Sequence, residues 1–289
     1  MFAKNKGKIY LLISAFMYGV APVLAKFAYE GGANEVTLSF LRAFLAVPVL
    51  LIPLRIQKIS LKLSKTELKR VIILSAFGCS LSITLLYIAY NFISAGLATT
   101  LHFIYPILII IASAVIYREK ISRKKLFSAL IVTVGILMFA DINSAADTVG
   151  IIFAIMSGVF YSFYVLYLDK SGLKNMDFIK LTFYTMVIMS ISTFLFGIFT
   201  NSIDFSLSGG AWLCAFVISM LVTALAVPLL QLGIRTEGAA TAGIMSTLEP
   251  ITTIVLGAIF LNETMLFSQI IGGLLILSGV VISQIKENK

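Results

Sequence analysis

Charge is what this chain has least of: 12% of its 289 residues are charged, against 60% that are hydrophobic. A soluble domain carries roughly 25% charged residues, so about half the usual charge is left to cover a body of this size. A soluble enzyme is excluded, and a mean hydropathy of +1.04 excludes a disordered chain as well. Cysteine is nearly absent. The two present, Cys79 and Cys214, each sit inside an apolar run, which excludes a disulfide-stapled secreted module and reads as packing. A single histidine leaves no basis for a Cys/His zinc site. No phosphate-binding loop, paired metal-binding histidines or nucleophile motif occurs. No cofactor is therefore called for, no enzymatic activity is expected, and active transport would run on an ion or solute gradient, not on ATP.

What the chain has instead is long apolar runs. Ten are of membrane length, at about 9–29, 36–54, 70–90, 97–117, 124–140, 149–168, 178–199, 211–232, 240–260 and 268–285. They specify an all-α polytopic membrane protein with ten transmembrane helices. The first run follows Lys4, Lys6 and Lys8 but is too long for a signal peptide, and reads as an uncleaved first helix.

The connecting segments alternate in charge. Twenty of the 22 basic residues fall on one side: those before span 1, between spans 2 and 3 (Arg55 to Arg70), after span 4 (Arg118 to Lys125), after span 6 (Lys170, Lys174, Lys180), Arg235 after span 8, and Lys286 and Lys289 at the end. The opposite loops hold Glu30, Glu35, Asp141, Asp147, Asp204 and Glu263, without lysine or arginine. The positive-inside rule then places both termini in the cytoplasm of a multi-pass cell-membrane protein. The formal charge of +9 reports topology, and the run Arg118–Lys125 reads as an orientation signal against anionic lipid, with no nucleic-acid partner.

The chain also repeats. Residues 95–136 lie on 239–280 without a gap, matching Pro106 with Pro250, Glu119 with Glu263 and Gly135 with Gly279; at an offset of 143, Ser14 and Tyr18 meet Ser157 and Tyr161. The units are 1–141 and 149–289. Five spans per unit is odd, so the second copy enters the membrane from the opposite side, the inverted-repeat arrangement of transporters that bind solute near the bilayer midplane.

Two stretches carry a resemblance. Leu86–Glu119, LYIAYNFISAGLATTLHFIYPILIIIASAVIYRE, resembles the third and fourth helices of the EamA-type drug/metabolite transporters, and Gly238–Gly279, with STLEPITTIVLGAIFLNE and then IIGGLLILSG, resembles their ninth and tenth. The resemblance covers essentially the whole chain as two five-helix units. It implies a ten-helix secondary transporter with a central cavity, carrying amino acids, other metabolites or drugs, often outward.

Within the spans, Glu249 is the sharpest feature, because a charged side chain at mid-bilayer costs roughly 2.5–3.5 kcal/mol on insertion scales. Pro250 strips the Ser246 carbonyl of its helix donor, and Pro106 does the same to His102. Each kink thus presents polar side chains at i and i+3, His102 with Tyr105 and Ser246 with Glu249, expected to confront each other around the cavity. Tyr18, Tyr161 and Tyr164 on the symmetric spans 1 and 6 are the aromatic candidates; their bland alternative is packing or an interfacial belt. Arg42 either snorkels outward or points inward to meet a carboxylate or Glu249. Pro22, Pro106, Pro228 and Pro250 are hinge candidates. Glu119 and Glu263 read as structural turn residues, and the glycines of spans 5 and 10 as contacts between the halves or in a homodimer.

The expected function is secondary active transport of small organic metabolites, amino acids or related compounds first and export preferred, by alternating access. A broad drug or organic-cation exporter and a non-transporting membrane receptor or assembly protein remain as alternatives. The partners are a small-molecule solute and the lipid bilayer, with a coupling proton or a counter-solute left open.

Overall fold

The computed structural model describes residues 6–93, 95–138, 148–261 and 266–284, and among them every regular element is a helix. The expectations placed on Lys4, Asp141, Asp147, Glu263, Lys286 and Lys289 lie outside the described residues. The ten spans run in order. Span 1 is Lys6–Glu30, span 2 Glu35–Ile56 and span 3 Lys65–Ala89. Span 4 joins Ala95–His102 to Tyr105–Val115, and span 5 is Arg123–Leu137. Spans 6 to 10 are Thr148–Lys170, Phe178–Phe199, Gly209–Glu237, Ala239–Phe260 and Phe267–Gln284. The protein is an all-α polytopic membrane protein of two inverted five-helix repeats.

Short polar residues set where the spans begin. Asn34, Ser122, Asp177 and Ser208 each accept a hydrogen bond from the third amide of the following helix. Ser64 and Glu67 form a reciprocal capping box, Glu67 N to Ser64 Oγ at 3.2 Å and Ser64 N to Glu67 Oε2 at 2.8 Å. That cap starts span 3 at Lys65, so Lys65, Lys69 and Arg70 ride on its first turns instead of in the preceding loop.

Several spans are irregular, and the irregularities follow the repeat. Span 4 is broken at residues 103–104 and span 9 at Thr247, just before Pro106 and Pro250. Spans 3 and 8 each contain a π-helical segment, Leu74–Ser80 and Ser219–Ala226, at overlapping positions when offset by 144 residues. Span 2 is interrupted at Leu45. Irregular backbone at membrane depth persists only where it is buried in protein or lines a cavity, so these breaks point inward. Pro22, by contrast, sits inside an unbroken span 1, and Pro228 is the second residue of the α-helical stretch that follows the span 8 π segment.

The first helix of each repeat packs in the other repeat. Span 1 lies against spans 8 and 9, and span 6 against spans 3 and 4. The remaining large contacts join span 7 to spans 2 and 3, and span 5 to span 10. Glycines permit the last of these. A Cβ on Gly135 would stand 2.7 Å from the Gly272 carbonyl, and one on Gly279 would stand 2.9 Å from that of Ser128. The small residues of spans 5 and 10 therefore join the two halves.

Candidate functional site

The two swapped bundles leave a cavity between them, enclosing about 70 Å³, room for a few water molecules. Every span except 5 and 10 contributes to it. Span 1 gives Tyr18, Ala21 and Pro22, span 2 Arg42, span 4 His102, span 6 Tyr161 and Tyr164, span 7 Met186, span 8 Val227 and span 9 Glu249. Span 3 gives Cys79, Ser82, Ile83, Leu86 and Tyr87, and Tyr90 follows at its end.

Arg42 points inward. It is 4% exposed, with Nε donating to Thr223 Oγ1 at 3.3 Å and an Nη1 hydrogen to the Tyr87 hydroxyl at 3.2 Å. Thr223 lies in the π segment of span 8, where the ladder of backbone bonds is widened. Glu249 is half-buried on the opposite repeat. Among the described residues no ion pair joins Arg42 to Glu249, and no side-chain hydrogen bond reaches the Glu249 carboxylate; Thr253 bonds only its backbone carbonyl.

His102 has a defined role in its hydrogen-bond chain. Its Nδ1 lies 2.8 Å from Ser157 Oγ, whose own proton goes to the Ala154 carbonyl at 2.6 Å. Because Ser157 has one hydroxyl proton, Nδ1–H is the donor to it, so in a neutral ring the Nε2 carries the acceptor lone pair. The ring sits in an aromatic group, with centroids 5.2 Å from Tyr161 and 5.5 Å from Tyr105. Tyr105 and Tyr161 meet edge to face at 4.6 Å, and Tyr161 stacks on Tyr164 at 5.8 Å.

Not all the residues singled out from the sequence reach the cavity. Tyr105 is fully buried behind His102 and Tyr161, its hydroxyl without a hydrogen-bond partner among the described residues. Ser246 is buried in span 9 and absent from the lining. The reason is the break in each helix: i and i+3 share a face only in a continuous helix, and residues 103–104 and 247 interrupt both. Tyr87, Tyr90, Ser82, Met186 and Cys79 were missed. Gln231 was missed too: it accepts from Thr182 at 3.0 Å and donates to the Tyr164 hydroxyl at 3.3 Å, supporting one wall.

Polar contacts near both membrane faces join the repeats. At the face where span 1 begins, Glu119 binds Lys170, and Asp169 holds Lys170 and Lys174 at 2.8 Å each. Glu119 thus reaches span 6, while Ser122 caps span 5; the pairing with another span was not foreseen for a turn residue. At the other face Asn34 Nδ2 donates to the Ser202 carbonyl at 2.7 Å and Ser208 N to that of Gly31 at 3.0 Å.

Among known proteins, residues 5–140 and 148–284 each match the EamA-like transporter family. An uncharacterized transporter of Archaeoglobus fulgidus is 26% identical over 277 residues, covering 96% of both chains. One of Bacillus subtilis is also 26% identical over 277 residues, covering 92% of this chain and 88% of its own. A solved crystal structure overlays 97% of this chain on 98% of its own with a TM-score of 0.83 at 14% identity, a likeness of fold.

Proposed function

The chain belongs to the EamA-like transporter family, and from that premise we propose that it is a secondary active transporter of small organic metabolites, amino acids or related compounds first, with export as the physiological direction. The observation that carries the reading is the cavity where the two repeats meet, lined from both by Arg42, His102 and Glu249 among tyrosines. Swapped first helices support alternating access: spans 1, 8 and 9 move as one body against spans 3, 4 and 6, and the broken and π-helical segments absorb the motion. Both termini lie in the cytoplasm. In this arrangement Glu249 contacts the polar end of the solute, His102 Nε2 accepts a hydrogen bond, and Tyr18, Tyr161 and Tyr164 present ring faces and hydroxyls. Tyr105 and Ser246 back that surface, Pro106, Pro228 and Pro250 adjoin the breaks and π segment that bend, and Pro22 lines the cavity from span 1. Glu249 and His102 are also the groups through which a proton would couple to solute binding. The small cavity and its fixed polar groups favour metabolites over bulky drugs.

Counterflow of radiolabelled amino acids by the purified protein in liposomes tests the reading. Saturable uptake that is lost in Glu249→Gln and His102→Ala is expected. No flux of any amino acid or organic cation would move the protein to a receptor or assembly role. Normal flux in both variants would remove the site.

A further inference from the structure

The surroundings of Arg42 leave its guanidinium only partly satisfied. A guanidinium has five N–H donors, and the described residues take up two, at Thr223 and Tyr87. Both acceptors are neutral hydroxyls, so among the described residues no ion pair neutralises the guanidinium directly, although the side chain is 4% exposed. A buried cation is retained where something balances it. Glu249, from the other repeat, lines the same cavity, yet the two form no ion pair. A cationic and an acidic side chain held apart, one from each repeat, are complementary to a molecule that carries both an anionic and a cationic group.

Resting on the transport reading above, we infer that Arg42 is the specificity-determining residue for the anionic end of the cargo. The cargo is a zwitterion whose carboxylate binds the free edge of the Arg42 guanidinium while its ammonium group faces Glu249. Thr223 and Tyr87 hold the guanidinium by two of its N–H groups and leave the remaining donors for a planar, two-oxygen acceptor, the match that arginine makes with carboxylate. A phosphate dianion fits less well, because the described lining supplies one arginine and no lysine, and the Glu249 carboxylate repels a second negative charge. A simple organic cation satisfies Glu249 but leaves Arg42 unbalanced, and a simple acid does the reverse. Tyr87 and Thr223 are positioning residues: they touch the guanidinium and set its direction.

The test compares ligands before it compares variants. The full-length protein in nanodiscs is titrated with the twenty standard amino acids, read as thermal stabilisation. The strongest binder is then set against its decarboxylated amine and its deaminated acid. The zwitterion is expected to bind at least about tenfold more tightly than either, the scale of losing one charge-assisted hydrogen bond. In Arg42→Gln the advantage of the zwitterion over the amine should disappear, and in Tyr87→Phe it should shrink. The inference is overturned if amine and zwitterion bind the wild type equally, if no amino acid binds, or if a folded Arg42→Gln protein keeps the preference. The ligand series needs no variant, so an unstable Arg42→Gln protein does not rescue the idea. Counterflow separates the two levels. Flux of organic solutes without preference for zwitterions sinks the role of Arg42 and spares transport, whereas absence of any flux removes both.

Discussion

Ser14 on span 1 donates its hydroxyl hydrogen to the Ala226 carbonyl on span 8 at 2.9 Å. The repeat-related contact joins Ser82 on span 3 to the Ser157 carbonyl on span 6, also at 2.9 Å, with donor and acceptor exchanged between helices. Ser14 corresponds to Ser157, and Ser82 to Ala226. Each bond ties a swapped first helix to the π-containing span beside it. The Ala226 carbonyl closes the π segment of span 8, where the backbone ladder is widened and a neighbouring hydroxyl can supply a donor, whereas the Ser157 carbonyl lies in the continuous helix of span 6.

Those serines contrast with two others at equivalent positions. Ser75 and Ser219 sit 144 residues apart in the two π segments, both fully buried and both with hydroxyls that have no partner among the described residues. Removing a bonded donor loses its hydrogen bond, whereas removing an orphan hydroxyl loses nothing and relieves a desolvated polar atom. Ser14→Ala and Ser82→Ala should each destabilise the protein by about 0.6 kcal/mol, the average for polar contacts between membrane helices. Ser75→Ala and Ser219→Ala should be neutral or stabilising. Thermal unfolding of the four variants in detergent checks this, and a loss at Ser75 or Ser219 as large as at Ser14 would refute it.

A second prediction concerns Gly158. Pro106 deprives the His102 carbonyl of its helical donor, and Gly158 of span 6 lies directly against that carbonyl: a Cβ there would stand 2.5 Å from the oxygen. The glycine is required by this approach of two backbones. Gly158→Val should cost about 1–3 kcal/mol, as overpacking does in a filled interior, and should displace His102 from the cavity, weakening solute binding as well. Gly273 is the control, because a Cβ added there would meet nothing within 4 Å. Gly273→Ala should be tolerated and, as a helix-interior change, gain up to about 1 kcal/mol. Thermal unfolding and solute binding of the two variants check both outcomes, and a Gly158→Val protein as stable as the wild type would show that the two backbones can part freely.

Much of this was legible in the sequence, for identifiable reasons. Apolar runs of about 20 residues revealed the spans because water on both sides bounds them. Pro106 and Pro250 at matching positions located the breaks in spans 4 and 9, and Glu249 pointed to a lining residue of the cavity. The π segments were hidden. Gly78 lies in one of them, but Ser219–Ala226 contains neither proline nor glycine. Tyr87 and Tyr90 were hidden for another reason. In a soluble protein polarity separates a buried face from an exposed one, but here lipid and helix neighbours are equally apolar, so the inward face of span 3 carries no compositional mark. Arg42 illustrates the limit. Its charge made it conspicuous, yet its direction was decided by Tyr87 and Thr223, the second of which is 181 residues away in the chain.

The ion cluster at the face where span 1 begins supplies a third prediction. Asp169 is 5% exposed and is held by both Lys170 and Lys174, whereas Glu119 is 38% exposed. A buried carboxylate with two charge-assisted bonds contributes more than a solvent-screened one. Asp169→Ala should destabilise by about 1–3 kcal/mol, and Glu119→Ala by no more than about 1 kcal/mol. High salt should weaken the second effect more than the first. Equal losses for the two variants in thermal unfolding would show that burial does not set the strength of this cluster.

The last prediction uses Cys79, which lines the cavity with its thiol 3.8 Å from the Met189 sulfur. The other cysteine, Cys214, lies on span 8 outside the cavity lining. A small methanethiosulfonate that adds an aminoethyl group to Cys79 through a mixed disulfide would occupy space the solute needs and place a second cation opposite Arg42. Treatment of proteoliposomes should therefore abolish counterflow, and a saturating amino acid that binds the cavity should slow the inactivation. Cys79→Ser should be resistant, because serine keeps the volume and cannot form the disulfide. Cys214→Ser should remain as sensitive as the wild type. Inactivation that persists in Cys79→Ser, or that bound solute does not slow, would place the transported solute elsewhere than beside Cys79.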